Sequence, residues 1–60
     1  MKYNIGDKVV IMRCPNAMYI GVVGTIVMAR VDGTYNVMPD KKVPGGLGAV
    51  YVYGTEIAPA

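Results

Sequence analysis

The sequence predicts an all-β domain built as a small five-stranded barrel, and three observations predict it. Eight glycines and four prolines in 60 residues interrupt the chain too often for a long helix. The runs between them are short and rich in valine and tyrosine, the composition of strands. Asp32-Gly33 then stands between two such runs as a hairpin dipeptide.

The first strand is read in Lys8–Arg13, entered through Ile5-Gly6-Asp7. Val9 and Ile11 point inward there, while Lys8, Val10 and Met12 share the other parity. Pro15 has no N–H to donate, so the ladder stops at Cys14–Ala17. The second run, residues 20–31, carries apolar residues on both parities. Gly21 and Gly24 allow a bulge or bend, by which one strand serves two walls of a barrel. A two-residue type I′ turn at Asp32-Gly33 would pair Val31 with Thr34, Arg30 with Tyr35, Met28 with Val37 and Val27 with Met38. Arg30 would then lie over the Tyr35 ring. Residues 39–47 form a long loop holding Lys41 and Lys42. In the following strand Val50 and Val52 share one face and Tyr51 and Tyr53 the other. The two tyrosines are either core aromatics or, if the valines fill the core, an outward pair. A short 3₁₀ turn and a brief last strand complete the chain.

The whole chain, residues 1–60, reads as a single domain. One so short buries only about 60% of its unfolded surface, and small folds commonly add a disulfide, a metal or a partner chain. Cys14 is the lone cysteine and histidine is absent, so an internal disulfide and a structural zinc site are both excluded. Self-association is the remaining device. A hydrophobic fraction of 53% with mean hydropathy +0.37 agrees with it. No apolar run approaches the ~20 residues of a membrane span. The N-terminus lacks the apolar core of a signal peptide, and a lone cysteine suits a reducing compartment. The expected location is therefore the cytoplasm.

Catalytic sets are missing. There is no serine or histidine to build a nucleophile around, and Cys14 has no base to activate it. Asp7, Asp32, Asp40 and Glu56 sit at turns and strand entries, where carboxylates have local roles. The glycines of residues 44–48 precede no helix, as a phosphate loop would require. A net charge of +2 is too small and scattered to point to nucleic acid. Lys8, Arg13, Lys41 and Lys42 with tyrosines could still meet phosphates and bases.

Ile5-Gly6-Asp7-Lys8-Val9-Val10-Ile11, followed by Tyr19-Ile20-Gly21-Val22-Val23-Gly24-Thr25-Ile26-Val27, resembles the opening of KOW-type and related SH3-like barrels. Residues 6–28 are also similar to the small SH3-like protein family of photosystem I. A longer resemblance, from Gly6 to the C-terminus, is to the plasmid-borne type II dihydrofolate reductases. It rests on Gly6-Asp7-Lys8-Val9, Gly21-x-Val23-Gly24, Gly33-x-Tyr35-x-Val37, Pro44-Gly45 and Val50-x-Val52-Tyr53. The resemblance implies an SH3-like barrel, four copies around one pore, and NADPH and a pteridine bound in that pore. Where that family lines its pore with Val-Gln-Ile-Tyr, this chain has Val50-Tyr51-Val52-Tyr53. It contains no glutamine.

The expected function is that of a small non-catalytic SH3-like interaction module, without cofactor, that self-associates and binds a macromolecular partner. A protein partner comes first and nucleic acid second. The alternative is the NADPH-binding type II reductase-like tetramer. The candidate binding residues are Tyr51, Val52, Tyr53, Tyr19, Lys41 and Lys42. Val27, Ala29 and Met38 are the candidate oligomer interface, set on one face of the hairpin against Ile26, Met28 and Val37 on the other. Tyrosine and methionine are both enriched at interfaces, and Met12, Met18, Met28 and Met38 would supply an adaptable surface.

Overall fold

The computed structural model describes residues 2–60. Five strands run antiparallel in one sheet: β1 Lys8–Ile11, β2 Val23–Ala29, β3 Thr34–Pro39, β4 Val50–Tyr53 and β5 Ile57–Pro59. Their spatial order is β4-β3-β2-β1-β5. The only helical pieces among the described residues are 3₁₀ turns at Ala17–Tyr19 and Gly54–Glu56. The chain is thus all-β, and the last turn and strand lie where the sequence placed them.

With no second layer to cover it, the sheet buries its inner face by curling over itself. Val9, Ile11, Ile26, Val37 and Val52, from four strands, are all nearly inaccessible. Each is the inward member of an alternating run, which is why a short chain assembles a dry centre. Tyr3 joins strands that the ladders leave apart. Its ring meets Tyr35 edge-on at 5.5 Å, its N–H donates to the Tyr35 hydroxyl at 3.2 Å, and its own hydroxyl donates to the Ile57 carbonyl at 3.3 Å. Nothing in the local pattern of "MKYN" marks that tyrosine as core.

Three bulges bend the sheet, and they share one hydrogen-bond signature. Gly21 N–H donates to the Ile11 carbonyl while Ile11 N–H donates to the Val22 carbonyl, so two residues oppose one. Gly33 and Thr34 oppose Arg30 in the same way, as do Gly6 and Asp7 opposite Ile26. Gly21 and Gly33 adopt φ of 85° and 88°, a left-handed backbone that a Cβ disfavours. The bend expected at Gly21 is therefore present. Gly24 has a different reason: a Cβ there would lie 2.6 Å from the Met38 carbonyl oxygen, so its absence lets β3 approach β2.

The hairpin register differs from the expectation. A type I′ turn needs positive φ at both central residues, and Asp32 does not adopt it. The loop has three residues instead, Val31 to Gly33, closed by Arg30 N–H to Thr34 carbonyl at 3.0 Å. Ala29 consequently faces Tyr35, Met28 faces Asn36 and Ile26 faces Val37, with Val27 as a further irregularity between them. Arg30 does not reach Tyr35, which lies in the core. Ala29 turns inward against the core, so it shares no face with Val27 and Met38. Met28 turns outward in its place.

Candidate functional site

The inner and outer parities of β4 divide cleanly. Val50 and Val52 are in the core, and Val52 is 1% exposed. It cannot touch a ligand, so the binding role expected of it is withdrawn. Tyr51 and Tyr53 stand on the outer face, each 54% exposed, with ring centroids 5.9 Å apart at 76°. That edge-to-face arrangement favours the pair beyond its buried area. Of the two readings of these tyrosines, the outward pair is the one present, because the valines already fill the inner side.

Arg30 lies over one member of the pair. Its guanidinium carbon lies 5.3 Å from the Tyr51 ring centroid, while Nη2 donates to Asn36 Oδ1 at 2.9 Å. The register explains this: Asn36 is the direct partner of Tyr51 and Thr34 of Tyr53. Thr34 N–H and hydroxyl both donate to Asp32 Oδ1, at 3.1 and 2.6 Å. Those bonds from Thr34, with Arg30 nearby, hold the Asp32 carboxyl below its ordinary pKa. Met28, Val27 and Met38 are exposed around this cluster on the neighbouring strands. Asn36 and Arg30 had no place in the predicted site, and Met28 was expected on the face opposite Val27 and Met38. Only the three-residue loop brings them beside Tyr51, and the dipeptide Asp32-Gly33 does not distinguish that loop from a two-residue one.

The other end of the outer face is polar. Lys8 Nζ donates to Thr25 Oγ1 at 2.8 Å and to Asp40 Oδ1 at 2.9 Å, and Thr25 hydroxyl donates to the same Asp40 oxygen at 2.9 Å. The Lys8 bond first, then the Thr25 bond, lower the Asp40 pKa.

Tyr19, Lys41 and Lys42 lie elsewhere. Tyr19 is a core residue whose hydroxyl accepts the Leu47 N–H at 3.3 Å, tying the 3₁₀ turn to the β3–β4 loop. Lys41 and Lys42 border two clefts of about 290 and 540 Å³, one walled by Tyr19 and Met38, the other by Met18, Val22 and Val43. Among the described residues neither lysine forms an ion pair. The predicted site therefore separates into an aromatic face and a lysine-flanked loop.

Among the described residues no three His, Cys, Asp or Glu side chains gather as metal ligands. No helix there is long and apolar enough to cross a membrane. No family model, curated protein or solved structure matches the chain.

Proposed function

We propose that this protein is a small SH3-like interaction module, without a catalytic role, that self-associates through the outer face of β2–β3–β4 and binds a macromolecular partner. The observation that carries the reading is the paired Tyr51 and Tyr53, half exposed and braced by Arg30. A chain of 60 residues can ill spare two large aromatic side chains from its core. Turning them outward makes sense where a second surface covers them, because tyrosines supply large contact area at low entropic cost. Light scattering over a dilution series tests this. The mass should rise above 6.4 kDa with concentration, and Tyr51→Ala with Tyr53→Ala should abolish the rise. A strict monomer at every concentration overturns self-association.

A second reading rests on the resemblance from Gly6 to the C-terminus, and against it Tyr51 stands where type II reductase-like chains carry their pore glutamine. That reading predicts four copies around a pore and NADPH-dependent turnover of dihydrofolate. Purified protein without turnover removes it.

A further inference from the structure

The two edges of the sheet are finished differently. At β5 the outward positions are Ile57 and Pro59, since Ala58 pairs with Val10 and Ala60 N–H donates to the Lys8 carbonyl. Pro59 has no N–H to offer, and the Ile57 carbonyl accepts the Tyr3 hydroxyl. Proline and capped carbonyls are the usual means of blunting an edge. At β4, Gly54 N–H donates inward to the Gly33 carbonyl, whereas Tyr53 N–H turns outward to Glu56 Oε1 at 2.9 Å. By the alternation of an antiparallel ladder, Tyr51 then directs both its N–H and its carbonyl to the open edge. No proline and no charged residue occurs between Ala49 and Thr55, and the Glu56 carboxylate caps only the Tyr53 N–H, leaving both Tyr51 groups open.

We infer that the occupant of this edge is β4 of a second copy, paired antiparallel about a two-fold axis at Tyr51. The inference rests on the self-association reading and specifies its geometry. In that register the two Tyr51 residues exchange N–H and carbonyl, making two hydrogen bonds. Each Tyr53 falls opposite the exposed Ala49 of the other copy, so the large ring meets a small side chain. Val50 falls opposite Val52 along the inner side. An identical strand places small against large at both Tyr53–Ala49 pairs, and an isologous contact closes at two copies.

The contact is small. Of the exposed apolar residues only Tyr51 and Tyr53 lie on the paired strand, each 54% exposed, whereas Val27 and Met28 on β2 stand two strands from this edge. A standard interface takes about 800 Å² per partner, so the dimer should be weak and concentration-dependent.

Amide hydrogen exchange of the full chain, followed residue by residue by NMR at several concentrations, tests the register. Tyr51 N–H should exchange freely when dilute and slow at least tenfold as the dimer forms. Tyr51→Lys sets two like charges across the axis and should weaken the dimer at least tenfold, with partial recovery in salt. A dimer whose Tyr51 amide exchanges freely at every concentration overturns edge pairing and leaves self-association standing. A monomer throughout overturns both. Should Tyr51→Lys fail to fold, exchange on the unaltered chain decides by itself.

Discussion

The two faces of the β3–β4 ladder carry similar residues and meet different fates. Inside, Tyr35, Val37, Val50 and Val52 are buried together; outside, Tyr51 and Tyr53 are half exposed beside Asn36 and Met28. Tyr35 and Tyr53 have the same chemistry, and only strand parity separates them. Tyr35 has its hydroxyl bonded by the Tyr3 N–H and its ring against Tyr3, while Tyr53 has a ring partner and no bond on its hydroxyl among the described residues. Residue type alone does not decide burial in a small sheet. Position against the bulges does.

Breaking the inner face should cost most. Ile26→Ala removes a fully buried side chain between β1 and β3 and should cost about 2–5 kcal/mol in denaturant unfolding. Gly33→Ala forces a Cβ into a backbone at φ 88° and should cost about 1–2 kcal/mol. Melting of the variant beside the native chain shows it, and a neutral result would contradict the three-residue loop. Tyr35→Phe against Tyr53→Phe sharpens the comparison. The first loses the acceptor of Tyr3 N–H and should destabilise by about 1 kcal/mol, whereas the second should leave the unfolding midpoint unchanged.

The smallest effect is on pH dependence. Asp40 and Asp32 both have lowered pKa values in the fold, so their contribution is complete above the ordinary carboxylate pKa. It is lost as pH falls through the lowered folded values. Stability should be flat above about pH 5 and decline below about pH 4. In Asp40→Asn the decline below about pH 4 should be shallower.

Much of this fold was legible in the sequence. Alternation identified β1 and β4, put Val9 and Ile11 inside and set Val50 and Val52 on the face opposite Tyr51 and Tyr53 without deciding which was inner, and Gly54–Glu56 read correctly as a turn before the last strand. The hairpin register was not legible. Asp-Gly fits both a two-residue loop and a longer one with a bulge, and one extra residue shifts every pairing beyond it. That shift moved Ala29 inward and Met28 outward. Of the candidate site, parity grouped Tyr51 with Tyr53 on one face, and burial of Val50 and Val52 is what makes that face the outer one. Arg30 and Asn36 could not, because their place depends on the loop. Val52 and Tyr19 belong to the core, which requires knowing how the sheet curls and where the first 3₁₀ turn packs.

The central claim is that one face of this sheet exists to be covered. Chemical-shift mapping of the native chain from dilute to millimolar concentration tests it most directly, since every amide reports at once. Shifts should move at Asn36, Ala49, Tyr51 and Tyr53 and stay fixed at Lys41, Lys42 and Val43. A spectrum indifferent to concentration, or movement centred on the lysine loop, would contradict the account.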